Sequence, residues 1–388
     1  MLKFKLTPAQ KFLCLCIRHC DYLEKDKIKQ LYETIGDKVL FSQAKKNGVS
    51  SIIGHALFIV LGEDKLPSHW HEEYQEINKR IASYMNELEK VSWLLDKNDI
   101  KLLALKNSGI AKGLYPYFGS CPMGDVDVLV SKTVFRRAHA ILTEAGYKLK
   151  FRSSLEEDNI EAAEHGGGAE YFVTLASGEN LWFELQWRPV AGRWIQPEQE
   201  PKADDLIKRS KLINNSKVRL LSPEDNLLQV ALHTAKHSFV RAPGFRLHTD
   251  VDRIVTVENI DWATFTSRVC KLKTKTAVYL SLEMARTLIG TRIPDDVLIA
   301  LKPNKLKVKL INIWLEKIGI FEPDTPKWSK LGYIIFVSLL YDDFGDFLSG
   351  VFPPTRQMKE NYEFSNSLLL PYYHSKRILN LLIKRVNT

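Results

Sequence analysis

The chain has 388 residues, 45% of them apolar and 26% charged, with 55 lysines and arginines against 46 aspartates and glutamates. These proportions describe a globular protein with a large core and exclude a disordered, collagenous or disulfide-scaffold chain. The net charge of +9 favours polyanionic partners, a demand that nucleotide phosphates meet as well as nucleic acid does.

The first hundred residues read as helices. Thr7 before Pro8 is a cap-then-proline start, and Phe12, Leu13, Cys16 and Ile17 recur at helical spacing. Further helical patterns run from about Lys25 to Gly36 and from Ser68 to Leu95. After Asn98 the pattern shortens. Lys101 to Leu105 is a compact apolar run ending in Lys106-Asn107-Ser108-Gly109, a strand-to-turn transition, and a short helix is expected from Gly109 to Tyr115. Gly124-Asp125-Val126-Asp127-Val128-Leu129-Val130 alternates as a strand, with Asp125 and Asp127 on one face and Val126 and Val128 on the other. Thr133 to Ala145 is amphipathic, with Gly146 placed to cap it. Strand patterns return at Tyr147 to Phe151, Glu170 to Leu175 and Leu181 to Trp187, the last two joined by the hairpin Ser177-Gly178-Glu179-Asn180. His165-Gly166-Gly167-Gly168 reads as a flexible loop. Beyond Arg188-Pro189 the chain is irregular to about Asp204 and then helical. Ser222-Pro223-Glu224-Asp225 is a strong helix start, and helices are expected at Trp262 to Gly290, Leu306 to Ile318, Trp328 to Phe347 and Ser365 to Val386.

Five cysteines, odd in number and sparse, point to a reducing compartment. The apolar run from Phe12 to Ile17 is too short for an export signal, and Tyr333 to Tyr341 is half the length of a membrane span. A cytoplasmic protein without a membrane span is expected. Cys14, Cys16, His19 and Cys20 resemble metal ligands in sequence, but Cys14 points away from the helical face of the other three, so buried small hydrophobes are the expected role. The tryptophans and tyrosines are scattered rather than interleaved with basic residues, so no nucleic-acid partner is expected.

The strongest chemical signal is Asp125-Val126-Asp127. Two carboxylates two residues apart on a strand project in parallel about 6.6 Å apart, close enough to share divalent metal. An isolated Asp-x-Asp is more often a solvated strand end, but two neighbours change the balance. Asn107-Ser108-Gly109 sits at a turn whose backbone N–H groups and hydroxyl can cradle phosphate. Glu184 stands on the face of its strand opposite Phe183, Leu185 and Trp187, where a lone acid calls for a cation.

His233 and His237 share one helical face, a spacing that suits a metal, yet the glutamate of the zincin motif is missing. With His248, Asp250 and Asp252 they could form a phosphohydrolase site, with His233, His237 and Asp250 as its centre. The expected role is nonetheless structural or in holding substrate phosphate, with the phosphohydrolase as the alternative.

The order of a small-residue turn, Asp-x-Asp on a strand and an acid on a later strand resembles the polymerase-β-like nucleotidyltransferase superfamily, and within it a bacterial family of uncharacterised nucleotidyltransferases. The matching stretches are Leu105-Lys106, Leu114-Tyr115-Pro116, Met123 to Val130, Phe183 to Trp187, Leu232 to His237 and Val351-Phe352-Pro353. The chain departs from the family at Asn107, where glycine is usual, at Cys121, where arginine is usual, and at Glu184 and Gln186, which replace the aspartate and histidine of Asp-x-His-Trp.

The resemblance implies an α+β fold with a small mixed sheet of nucleotidyltransferase type at 99–204, an N-terminal helical region at 1–98 and a C-terminal helical domain at 205–388. It further implies two magnesium ions on Asp125, Asp127 and Glu184, and a nucleoside triphosphate donor held by Ser108 and adjacent backbone, with Lys106 as a weaker candidate. The nucleotidyl group would pass to a small molecule, sugar or peptide of natural-product or surface-polysaccharide pathways. Sugar transfer from a nucleotide sugar and an inactive nucleotide-binding module are the alternatives, and the base, acceptor and oligomeric state stay open.

Overall fold

The computed structural model describes residues 5–153, 158–190, 195–237, 244–321, 330–362 and 364–384. Five helices come first: α1 (Pro8–Cys16), α2 (Lys25–Ile35), α3 (Asp37–Lys46), α4 (Ser50–Leu61) and α5 (Ser68–Asp96). Thr7 starts α1 through a reciprocal cap, its hydroxyl accepting from Gln10 N–H at 3.2 Å and its own N–H donating to Gln10 Oε1 at 3.0 Å. The long α5 buries Trp70, Ile77, Ile81, Tyr84, Leu88, Val91 and Leu95, a stripe at helical spacing.

The middle of the chain alternates strands and helices. In order they are β1 (Leu102–Ala104), α6 (Lys106–Gly113), β2 (Asp125–Leu129), α7 (Phe135–Glu144), β3 (Lys148–Leu149), α8 (Ile160–Gly166), β4 (Gly168–Thr174), β5 (Asn180–Gln186), α9 (Ala203–Arg209), β6 (Lys211–Leu212) and β7 (Val218–Leu220). The strands form one mixed sheet in the order β3-β4-β5-β2-β1-β7-β6. β2 runs parallel to β5, and β1 parallel to β7. One face carries Val126, Val128, Leu181, Phe183 and Leu185, all fully buried in the main core. Leu103, Leu105 and Leu129 lie on the other face in a smaller cluster with Ala203, Leu206 and Leu221. Asp125 and Asp127 share the second face with Leu129.

Helices complete the chain: α10 (Pro223–His237), α11 (His248–Val257), α12 (Trp262–Lys271), α13 (Lys275–Ile289), α14 (Asp295–Leu301), α15 (Lys305–Ile318), α16 (Lys330–Leu340), α17 (Phe344–Val351), α18 (Thr355–Tyr362) and α19 (Leu370–Lys384). Among the described residues no helix is long and apolar enough to cross a membrane.

The α+β class with helices on both sides holds, and several local expectations are corrected. α6 begins at Lys106 rather than Gly109, directly off β1. His165-Gly166-Gly167-Gly168 is not a loop. It closes α8, turns at Gly167 with φ 103°, and opens β4. The helix expected from Trp262 to Gly290 breaks between α12 and α13, where Lys273 takes φ 53° and its carbonyl accepts from Gln199 Nε2 at 3.2 Å. Two short strands at 211–220 join the sheet from a segment expected to be helical. The helix expected from Trp328 to Phe347 is two, α16 and α17. Trp328 and Val386 lie outside the described residues.

Candidate active site

On the parallel pair β2 and β5, Asp125 is partnered with Trp182 and Asp127 with Glu184. On the antiparallel pair β4 and β5, Glu170 is partnered with Glu184. Cross-strand partners share a face, so Asp127, Glu184 and Glu170 form a row of acids, with Asp125 one pleat along. Carboxylate oxygens of Asp125, Asp127 and Glu184 lie within 4.8 Å of one another.

Like charges at strand spacing repel unless cations stand between them. Lys106 and Arg152 supply those cations. Lys106 Nζ is 2.5 Å from Asp127 Oδ1 and 3.9 Å from Glu184 Oε2. Arg152, which follows β3, donates from Nη1 to Asp125 Oδ2 at 2.7 Å, from Nη2 to Glu184 Oε1, and from Nε to Glu170 Oε2 at 2.9 Å. Gln186 adds a neutral donor, its Nε2 lying 3.0 Å from Asp127 Oδ1 and 2.8 Å from Glu184 Oε2.

The local backbone explains how Asp127 is aimed. Lys106 leaves β1 with φ 51°, a left-handed conformation rare for a lysine. That turn sends its ammonium back over β2. Ser108, fully buried, accepts from Asp127 N–H through Oγ at 2.9 Å, and Asp127 O accepts from Leu105 N–H at 3.0 Å. The serine hydroxyl thus fastens β2 at Asp127. A Cβ on Gly109 would meet Ala104 O at 3.1 Å, so the glycine lets α6 pack close to β1.

The acids divide into two kinds. Burial pushes the carboxyl of Asp125 up, and the Glu184 charge adds to it. Burial pushes Asp127 well above the usual range, against the pull of Lys106. Burial acts on Glu184 too, but Lys106, a hydrogen bond with Asp127 and Arg152 outweigh it and hold this carboxyl down at about 2. The trio therefore holds its charge unevenly, as close carboxylates do.

An oxygen-liganded divalent cation fits this donor set. The carboxylates converge, and the guanidinium already bridging Asp125 and Glu184 shows that positive charge is stabilised there.

The remaining predicted residues lie elsewhere. With its amide oriented to suit its neighbours, Asn107 donates to Asp250 Oδ1 at 2.7 Å and accepts from Arg246 Nη1 at 3.1 Å. Asp250 is buried and also lies 3.9 Å from Arg253 Nη1. Arg246 donates to Pro122 O and Arg253 to Ser120 O, so α11 and the turn before it clamp the backbone that leads into β2. Arg253 Nη1 also lies 3.7 Å from Cys121 Sγ. His233 and His237 face each other on α10 with ring centroids 4.5 Å apart. Among the described residues, His233, His237 and Asp250 do not form a cluster with metal-ligand spacing. His19, Cys20 and Asp21 do come within that spacing, but they form a turn in which His19 Nδ1 accepts from Asp21 N–H at 3.4 Å. Cys14 and Cys16 are buried in the core.

A family model described as uncharacterised nucleotidyltransferase matches residues 34–290. The chain belongs to that family. No curated protein and no solved structure matches it. The match to the uncharacterised nucleotidyltransferases runs from α2 to the end of α13 and so includes the carboxylates, both cations and the clamp from α11. Membership makes the protein a transferase of phosphorus-containing groups with a nucleotide substrate, in a family that implies a nucleoside triphosphate donor and usually a divalent metal. No sequence pattern points to Arg152 or Glu170 as site residues, whereas Gln186 stands at the position of the family's histidine. Glu170 could have been found from the hairpin, since pairing Thr174 with Asn180 and counting back four residues sets Glu170 opposite Glu184.

Proposed function

We propose that this enzyme is a magnesium-dependent nucleotidyltransferase that moves a nucleoside monophosphate from a triphosphate to a hydroxyl of a small molecule, sugar or peptide. The observation that carries the proposal is the convergence of Asp125, Asp127 and Glu184 oxygens within 4.8 Å across two parallel strands. Bound there, magnesium would neutralise charge on the attacked and leaving phosphate oxygens. Asp125 and Asp127 would hold the metal with the donor triphosphate, and Glu184 would complete the ligand set.

The acceptor oxygen attacks the α-phosphorus, the bond from that phosphorus to the β-phosphate oxygen breaks, and pyrophosphate leaves with the electron pair. Glu184, kept ionised by Lys106, takes the hydroxyl proton. Ser108 acts through its bond to Asp127 N–H, which fixes the height of the carboxylate above the sheet. Lys106 is the permanent counter-charge of Asp127.

Calorimetry with ATP, GTP, CTP, UTP and a UDP-sugar, each with and without magnesium, tests the reading on the wild type and on Asp125→Ala/Asp127→Ala. Magnesium-dependent binding of one triphosphate, lost in the double variant, is the expected result. Binding of the UDP-sugar alone would move the assignment to glycosyl transfer. Binding that survives the double variant would remove the carboxylates from the site.

A further inference from the structure

Arg152 holds four acceptor contacts of two kinds. Its backbone N–H, at 3.0 Å, and its Nε, at 2.9 Å, both reach Glu170 Oε2. Its terminal nitrogens reach Asp125 and Glu184, two of the carboxylates assigned to the metal. The first pair ties the base of the side chain to β4. The second pair sits at the end of a rotatable group whose side chain is 35% exposed, on the solvent side of the site, with the guanidinium carbon 5.6 Å from the centre of the Trp182 ring. Lys106, by contrast, has only 16% of its side chain exposed and lies against the deepest acid, Asp127. The two cations therefore differ in how readily they can leave.

We propose that Arg152 is an exchangeable counter-cation: it occupies the carboxylates while the site lacks metal, and when a divalent ion takes them its two terminal nitrogens pass to the phosphate oxygens of the incoming nucleotide. Glu170 anchors the residue through the exchange. The chemistry allows it because a planar guanidinium fork fits carboxylate and phosphate equally well. It also requires it, since a divalent cation and a guanidinium cannot both stay against Asp125 and Glu184 without mutual repulsion. An arginine released beside a triphosphate finds its next anionic partner within reach of the same anchor. The inference rests on the metal reading of the three carboxylates and adds a role in donor binding for a residue outside them.

The consequence is a pair of effects of opposite sign, which a structural role would not produce. Arg152→Gln removes the competitor and the phosphate contact together. Manganese alone, followed by the paramagnetic signal of the free ion, should bind the variant about tenfold more tightly than the wild type. Manganese with a non-hydrolysable triphosphate of the base chosen by the wild type should bind it about tenfold more weakly. Melting provides a second readout. Without metal the variant should melt below the wild type because Asp125 and Glu184 lose their partner, and manganese should raise its melting temperature by more than it raises that of the wild type.

Weaker or unchanged manganese affinity in Arg152→Gln, with a manganese-induced shift no larger than that of the wild type, overturns the exchange. Unchanged triphosphate affinity overturns the transfer to phosphate. A wild type that binds manganese but no triphosphate would sink the nucleotidyl reading instead, while the manganese-only comparison would still decide whether Arg152 competes for the carboxylates.

Discussion

Lys106 combines an unfavourable backbone with a favourable charge. Its φ of 51° costs a residue bearing a Cβ on the order of 1 kcal/mol, and its ammonium at 2.5 Å from Asp127 offsets that by compensating a buried carboxylate. Lys106→Ala should keep the strain and lose the charge, lowering metal-free stability by about 2 kcal/mol, since Asp127 can take up a proton in response. Lys106→Gly should lose the charge but relieve the backbone, and is expected to be about 1 kcal/mol more stable than Lys106→Ala. Urea titrations of the two variants give the comparison, and an alanine variant as stable as the glycine one would remove the strain. His248 makes a second prediction. It is 1% exposed, neither ring nitrogen has a hydrogen-bond partner, and burial holds it down at about 3. The unfolded chain takes up this proton below about pH 6.5 while the folded chain does not, so the contribution of His248 is full above that pH and is lost as pH falls toward 3. By pH 5 the loss is about 2 kcal/mol. The unfolding free energy of the wild type should therefore fall relative to that of His248→Leu by that amount between pH 7 and pH 5, and a constant difference would show that His248 protonates in place. As for what could be read beforehand, Asp125, Asp127 and Glu184 stood out because alternation alone sorts strand faces. Arg152 did not, because no local pattern ties a residue beyond β3 to acids on β2 and β5.

Local chemistry was most readable where an element carries its own start signal. Thr7-Pro8 opens α1 and Ser222-Pro223 opens α10, and in both the hydroxyl accepts from the N–H three residues on, at 3.2 Å and 3.4 Å. α3 and α4 escaped notice. α4 is Ser-Ser-Ile-Ile-Gly-His-Ala-Leu-Phe-Ile-Val-Leu, apolar nearly all round and without a side-chain cap, so no stripe marks its period. Gly54 within it reads as a breaker, whereas a Cβ there would meet Trp70 O at 2.8 Å, which shows that the glycine serves the close crossing of α4 and α5. β6 and β7 are two and three residues long and belong to the sheet only through pairing with each other and with β1. Asp225 shows how an element start can do more than begin a helix. Fully buried, it accepts from Arg209 Nε at 2.6 Å and Arg268 Nη1 at 2.8 Å, joining α9, α10 and α12. Asp225→Asn keeps the shape and removes the charge both arginines face. Because those arginines still reach water, the expected loss is about 3 kcal/mol, the low end for a broken buried pair, measured by urea titration; a loss under about 1 kcal/mol, the scale of an exposed pair, would show that the arginines are satisfied by solvent.

The helical regions and the sheet are joined closely enough to predict how the protein unfolds. One contiguous apolar cluster runs from Phe12 in α1 through Val126 and Phe183 in the sheet to Leu282 in α13 and Tyr341 after α16. α5 crosses between the N-terminal helices and the strands, with Tyr84 Oη donating to Asn180 O at 3.1 Å and Glu89 Oε2 accepting from Ser216 Oγ at 2.7 Å and pairing with Lys112 Nζ at 2.7 Å. From beyond the stretch matched to the family, Asp342 caps α13 by accepting from Lys275 N–H at 2.9 Å and Thr276 N–H at 2.7 Å. A chain of this length ordinarily unfolds in stages when its parts have separate cores. Here the helix clamp on residues 120–122 and the α5 contacts make the position of β2 depend on both flanks, so neither flank can open without exposing the core that holds the acids. Far-ultraviolet circular dichroism and tryptophan fluorescence should report a single coincident transition in urea, and magnesium with the bound triphosphate should move both signals by the same amount. Transitions that separate, with only one responding to nucleotide, would show that the flanks fold independently and that β2 keeps its place without them.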